Sequence, residues 1–270
     1  MKKYNTVLTI AGSDSCGGAG VQADIKTITA CGCYASSAIT AVTVQNTLGV
    51  SAVHPVPTDI ISGQIQAVLD DIGADAVKIG MLNQSEVIKC VCKQLVKYDI
   101  RNVVLDPVMV STSGHRLMQE DAIGIMVNDL IPLVRIITPN IPEAEVLLGG
   151  QNLSSQDDLP EAARCLAERW KVSVLLKAGH LTEDKLTDIF FDYDTKELIE
   201  LPSVRINTPN THGTGCTMSS ALASMLAKGN CSSEAVRKAK EFINNAIISG
   251  ADYVIGHGHG PVNHLWNFGN

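Results

Sequence analysis

Residues 7–31 read VLTIAGSDSCGGAGVQADIKTITAC. Val7–Ala11 is a short apolar run and reads as a buried strand. The glycines from Gly12 to Gly20 read as a turn, and Gly20–Cys31 has the period of a helix. A strand that passes through glycines into a helix is the first half of a βαβ unit. The glycines come close to a phosphate-binding loop of the Walker type, but Gly18 stands where that loop needs Lys and Ala19 where it needs Ser or Thr. They do not fit G-x-G-x-x-G either. Two readings remain for the turn: a tight strand-to-helix connection, or a backbone that lets a small ligand approach closely.

The same alternation continues along the chain. Strands are expected at Ala38–Val44, Ala76–Gly80, Val103–Asp106, Val134–Thr138 and Val172–Lys177. Helices are expected at Thr58–Asp71, Ser85–Tyr98, Asp121–Leu130, Pro142–Leu148, Gln156–Trp170, Cys216–Lys228 and Ser232–Gly250. In the first of these, Ile61, Ile65, Val68, Leu69 and Ile72 share a face, with Thr58 as N-cap. Ile189–Tyr193 and Glu197–Leu201 read as a hairpin joined by Asp194-Thr195-Lys196. This pattern predicts an α/β fold, a central and mostly parallel sheet with helices on both faces, forming one domain over residues 1–270.

Composition narrows the class of function. The chain has 270 residues, 45% hydrophobic, with a formal net charge of -7. That is enough chain for a real core, and it is too apolar to be disordered. The acidic balance speaks against nucleic acid as a partner. Val7–Ala11 is too short for the apolar segment of a signal peptide. The uncharged stretch Thr27–Thr58 is broken by Ser, Thr, Gln and Asn, so it reads as buried strand rather than membrane span. Eight scattered cysteines, with C-x-C pairs at Cys31/Cys33 and Cys90/Cys92, point to free thiols in a reducing cytoplasm and not to zinc.

In a sheet of this kind ligands bind beyond the carboxyl ends of the strands. Polar residues and glycines gather there: Gly12-Ser13-Asp14, Gln45-Asn46, Gly80-Met81, Asp106-Pro107, Asn140 with Glu143, and Lys177-Ala178-Gly179-His180. A second glycine segment, Asn210-Thr211-His212-Gly213-Thr214-Gly215-Cys216, runs into a helix. Its first N–H groups and the helix dipole suit an anion, and a phosphoryl group in transfer needs such donors. Cys216 at a helix start is expected to have a lowered thiol pKa; a small packing residue is the alternative. Asp106 also reads as a strand-end acid, and Glu143 as a capping residue of a short helix. Lys177 closes an otherwise apolar strand, Val174-Leu175-Leu176, so it needs an anionic partner.

Taken together, LTIAGSDSCGGAGVQAD, KIGML, VVLDPVM, ITPNIPEAEVLLG, LLKAGH, NTHGTGC and GHGHGPVNH resemble the hydroxymethylpyrimidine/phosphomethylpyrimidine kinases of thiamine biosynthesis, members of the ribokinase-like superfamily. The resemblance covers nearly the whole chain. It implies ATP- and Mg²⁺-dependent phosphorylation of 4-amino-5-hydroxymethyl-2-methylpyrimidine, first to the monophosphate and then to the pyrophosphate, by a homodimer. It implies that Gln45 hydrogen-bonds the aminopyrimidine, that Gly12 and Met81 line its pocket, and that Asp24 and Val108 lie nearby. Asp106 and Glu143 match acidic positions near the phosphates and metal, Asn140 and Lys177 match nucleotide-phosphate contacts, and Gly213, Thr214, Gly215 and Cys216 match the anion hole. Sugar kinases of the superfamily place an Asp base where this chain has Cys216. A thiol there is expected to serve as base for the alcohol and to repel the phosphate of the second step less than a carboxylate.

Two rivals stand beside this reading. A pyridoxine/pyridoxal kinase would act on a related ring alcohol. A non-catalytic nucleotide or pyrimidine sensor would not need the NTHGTGC segment. His257, His259 and His264 fit no metal spacing, and the tail that carries them is expected to pack near the nucleotide. The polar stretch 107–117 is expected to be a lid.

Overall fold

The computed structural model describes residues 2–109, 118–181 and 183–268. Among these residues one nine-stranded sheet runs in the order β3-β2-β1-β4-β5-β6-β7-β8-β9. Its strands are β1 (Thr6–Ser13), β2 (Tyr34–Asn46), β3 (Gly49–Pro55), β4 (Ala76–Ile79), β5 (Val103–Leu105), β6 (Ile136–Ile137), β7 (Ser173–Leu176), β8 (Lys185–Phe191) and β9 (Leu198–Val204). The run from β2 to β7 is parallel, and β3, β8 and β9 join antiparallel at the two edges.

The helices divide between the two faces. They are α1 (Gly20–Ala30), α2 (Thr58–Asp71), α3 (Ser85–Lys97), α4 (Glu120–Ile125), α5 (Ile141–Leu147), α6 (Leu159–Trp170), α7 (Thr214–Ala227) and α8 (Ser232–Gly250). Successive strand residues point to opposite faces, so a strand covered on both sides must be apolar at every position. Val7, Ala76, Val104, Ile136 and Leu175 pack under α1, α7 and α8. Their neighbours Leu8, Val77, Leu105, Ile137 and Val174 pack with α2 to α6 on the other side.

Most expected elements are present, with informative differences. The edge strand β3 was not foreseen, because Gly49, His54 and Pro55 hide its pattern and edge position relaxes the demand for alternation. Strand β2 extends beyond the expected run at both ends, since parallel pairing with β1 holds Tyr34–Ser37 in the sheet without β-branched residues. The cap of α2 is Pro57, whose carbonyl accepts from Ile61 N–H, and Thr58 is the first helical residue. Within that helix Ile61 and Ile65 are buried, while Ile72 at its end is 43% exposed. The helix expected at Asp121–Leu130 changes to a wider π turn at Met126–Leu130 and then a 3-10 turn at Ile131–Leu133, where Pro132 ends the regular bonding. The hairpin strands extend further from the turn than expected but stop short of it, at Phe191 and Leu198, and the turn is closed by Asp192 Oδ1 accepting from Asp194 N–H at 3.0 Å. Of the expected lid, 110–117 lies outside the described residues.

No helix among the described residues is long and apolar enough to cross a membrane. All eight cysteines are free.

Candidate active site

A cavity of about 700 Å³ opens at the carboxyl ends of the parallel strands. Gly12, Gln45, Met81, Asp106, Val108, Asn140, Glu143, Lys177 and the whole of Gly213–Cys216 line it. The wall thus draws on residues from seven places in the sequence. This volume is ordinary for a small-molecule site.

The start of α7 forms one wall. Gly213 is its N-cap, with φ 81°, and a Cβ there would overlap the Gly18 carbonyl. Only glycine lets the two glycine segments meet so closely. Thr214 N–H turns back to the Thr211 carbonyl at 3.3 Å, and the helix offers no acceptor of its own to the N–H groups of Gly215 and Cys216, which define a positive end.

Against that end sits an ion pair. Lys177 Nζ donates to Asp106 Oδ1 at 2.8 Å, and Thr138 Oγ1 donates to the same oxygen at 2.9 Å. A methyl group on Gly215 would stand 3.1 Å from Asp106 Oδ2 and 3.3 Å from Lys177 Nζ, so the pair and the helix start face each other. Burial works to raise the Asp106 pKa, but Lys177, Lys78 and the hydrogen bonds hold it below the usual carboxylate value. The anionic partner that Lys177 required is therefore Asp106. Asp106 and Glu143 raise the Lys177 pKa despite its burial.

Glu143 has two roles in the geometry. Its Oε2 accepts from Asn140 N–H at 2.9 Å while Asn140 Oδ1 accepts from Glu143 N–H at 3.0 Å, a capping box at the start of α5. The same carboxyl group reaches the cavity beside Lys177 and Asp106. Burial pushes its pKa up to about 7; Lys177 opposes this and Asp106 adds to it. Two oxygen-donor acids, one of them reluctant to ionise because it is buried, are a donor set that fits a hard divalent cation such as Mg²⁺.

Three expectations are corrected here. Asp24 does not reach the cavity wall. It is fully buried, accepts from Thr9 Oγ1, Ser220 Oγ and Lys78 Nζ, and serves as counter-ion to Lys78. Cys216 does not have a lowered pKa: burial pushes its thiol up to about 11, with Lys78 opposing. The helix start is outweighed because the half-buried thiol sits in the enclosed cavity wall, where a thiolate would be desolvated, and Asp24 and Asp106 oppose its negative charge. The C-terminal tail does not pack at the Lys177 end. Its glycines Gly256 and Gly258 close on Thr47, and His259 N–H donates to the Thr47 carbonyl at 2.9 Å, so it buttresses the β2–β3 turn next to Gln45.

The sequence reading also missed residues. His212 lies within the recognised glycine segment yet carried no role; it lines the cavity and contacts both Asp14 and Gln45. Lys78 is among the largest fully buried side chains of the described residues, set within the apolar run Ala76–Ile79. The rule applied to Lys177, that a lysine in an apolar strand needs an anion, would have flagged it. A further apolar wall, with Val204, Ile206, Ile243 and Ile247, comes from β9, the loop after it and α8 and carries no motif.

Asp14, Cys16 and His212 bring three donor atoms close enough for a metal ion. Asp14 is already spent, however. Its Oδ1 accepts from Cys16 N–H, and its Oδ2 accepts from Gly18 N–H, Ala19 N–H and His212. This cluster folds the glycine turn rather than holding a cation.

Comparison with known proteins gives a family and, among solved structures, two kinds of vitamin kinase. The profile of the phosphomethylpyrimidine kinase family matches residues 14–263. The chain is 46% identical over 258 residues to a hydroxymethylpyrimidine/phosphomethylpyrimidine kinase of Rhizobium meliloti, covering 96% of each. It is 47% identical to a probable thiamine biosynthetic bifunctional enzyme of Oryza sativa subsp. japonica, covering 96% of this chain and 47% of that one. The chain thus spans about half the length of the bifunctional relatives it matches. Among solved structures, phosphomethylpyrimidine kinase from Clostridium difficile is 43% identical with a TM-score of 0.76, covering 90% of this chain and 99% of that one. An ADP complex of Bacillus subtilis pyridoxal kinase is 37% identical with a TM-score of 0.89, covering 99% of this chain and all of that one.

Proposed function

The chain belongs to the phosphomethylpyrimidine kinase family, and from that premise we infer that it phosphorylates 4-amino-5-hydroxymethyl-2-methylpyrimidine with ATP, and then the monophosphate to the pyrophosphate. The observation that carries this reading is the opposition of the α7 start and the Asp106–Lys177 pair in one cavity, with Gln45 on the adjoining wall. Donors on one side and a fixed cation on the other suit a phosphoryl group in transit.

In this reading the ring lies against Gly12, Met81 and Val108, and the Gln45 amide pairs with its ring nitrogen and exocyclic amine. The N–H groups of Gly213–Cys216 hold the transferring oxygens. Lys177 and the Asn140 amide nitrogen take the nucleotide phosphates, and the apolar wall from β9 and α8 takes the base. Asp106 and Glu143 would hold Mg²⁺, which neutralises phosphate charge when bound. Cys216 serves as base for the alcohol through the small thiolate fraction of its raised-pKa thiol, which first gives its own proton to solvent; the second step has an ionised nucleophile and needs no base.

We place the reaction in the cytoplasm, where eight free thiols persist. We assign homodimer pairing to the β2–β3 arm, where Val42, Val44 and Leu48 stand exposed at 48%, 60% and 66%. The test is ADP release from Mg-ATP with the aminopyrimidine alcohol, its monophosphate, or pyridoxal. Turnover of both pyrimidines is expected. Pyridoxal turnover well above theirs would make this a pyridoxal kinase, and no turnover with any would make it a sensor.

A further inference from the structure

Gln45 discriminates between rings only if its amide is held one way round, because its donor and acceptor ends have the same shape. Its backbone is fixed: Ser15 Oγ accepts from Gln45 N–H at 2.9 Å and donates to the Gln45 carbonyl at 2.7 Å. Two groups then meet the side chain. Thr43 Oγ1 is 3.2 Å from Oε1, and His212 Nε2 is 3.3 Å from Nε2.

The protons in this chain can be assigned. Asp14 is ionised: burial opposes this, yet His212 and the N–H groups of Ala19 and Cys16 keep its pKa below the usual value. His212 Nε2 lies 2.9 Å from Asp14 Oδ2 and therefore carries its hydrogen towards that carboxylate. Thr43 has one hydroxyl hydrogen and donates it to the Ser13 carbonyl at 2.9 Å. What Thr43 offers Gln45 is a lone pair, and what His212 offers is an N–H. With the amide nitrogen towards His212, two donors face each other. A half-turn of the amide resolves both contacts: its N–H donates to Thr43 Oγ1, and its oxygen accepts a share of the His212 hydrogen.

We propose that Asp14 and His212 are a positioning pair that fixes the hand of the Gln45 amide and thereby makes the site selective for an aminopyrimidine over a pyridine alcohol. The imidazole is itself immobile. The backbone N–H of His212 donates to the Gly260 carbonyl at 3.0 Å, which fixes the base of the side chain, and the ring is wedged so closely against Gly18 that a side chain there would overlap it. A ring nitrogen beside an exocyclic amine presents an acceptor next to a donor, which matches the amide in one orientation. Pyridoxal has no such amine, so it gains little from the fixed hand. The inference rests on the proposal that Gln45 meets the substrate ring.

The experiment compares kcat/KM for the aminopyrimidine alcohol and for pyridoxal in the wild-type chain, His212→Phe, His212→Gln and Gln45→Ala, with a thermal melt of each. His212→Phe is expected to lower the pyrimidine-to-pyridoxal ratio about fivefold through the pyrimidine KM, the scale of one hydrogen bond. His212→Gln, which keeps a donor, should retain part of the ratio and serves as the readout if the Phe variant does not fold. Adding His212→Phe to Gln45→Ala should lower the ratio no further, because the histidine acts through the glutamine. Equal losses for both alcohols, or losses that multiply in the double variant, overturn the proposal. Absence of turnover by the wild-type chain overturns the kinase reading and this inference with it, whereas turnover with an unchanged ratio overturns this inference alone.

Discussion

Single residues show how far a local rule reaches. Cys216 stands in the first turn of a helix, where the dipole favours a thiolate, yet desolvation in the cavity wall pushes its thiol up to about 11. It is a neutral thiol at pH 7, which suits a site that must also receive a phosphate dianion in the second step. Only its minor thiolate fraction can take the alcohol proton, and the first step alone draws on it, which makes that step the sensitive one. Cys216→Ala is expected to slow phosphorylation of the alcohol at least tenfold more than phosphorylation of the monophosphate, the usual scale of general-base loss being about 10²–10⁴. Rates measured separately with each substrate check this, and equal losses would remove the base role. Lys78 teaches the converse. A buried lysine needs its anion, and Asp24 supplies it from the helix that follows the first glycine turn. The motif QAD therefore contributes to the support beneath the site and not to its wall.

At the scale of elements, the tail after α8 is the part least readable from sequence. Its histidines suggested no metal, and its path past Thr47 and His212 follows from glycines that allow backbone to lie on backbone. His264, 4% exposed, ends this path. Burial pushes its pKa down from 6.5 to about 4, with Lys26 adding to it and a hydrogen bond to Gly18 opposing. A neutral imidazole is thus built into the fold. Above pH 6.5 the folded and unfolded chains carry the same charge there. Below it, the unfolded histidine takes a proton that the folded one refuses, so stability falls as pH drops towards 4. The shift corresponds to on the order of 3 kcal/mol. Urea unfolding at pH 7, 5.5 and 4.5 is expected to show a decline that is shallower in His264→Gln; parallel declines in both proteins would contradict it.

On the scale of the whole molecule, the sheet brings together what the sequence keeps apart. Asp106 and Lys177 are separated by 71 positions and Asp14 and His212 by 198, yet each pair is in hydrogen-bond contact. Two apolar faces clamp the strands, so their ends are rigid enough to hold these pairs. The β2–β3 arm is the exception: it stands at the edge of the sheet with apolar side chains exposed. If it is the pairing surface, Val44→Asp combined with Leu48→Asp should convert a dimer to a monomer in light scattering. A wild-type chain that is already a monomer would end that assignment.

The α/β class, most of the element order, and the candidate wall residues Gln45, Met81, Asp106, Lys177 and Gly213–Cys216 were determined by the sequence alone. The reason is that periodicity and glycine placement are local properties, written within a few residues of where they act. The places of Asp24, Lys78, His212 and the tail, and the desolvation that raises the Cys216 thiol pKa, were decided only by the tertiary structure. Burial and the distance between remote charges set those properties, and neither exists until the chain has closed on itself.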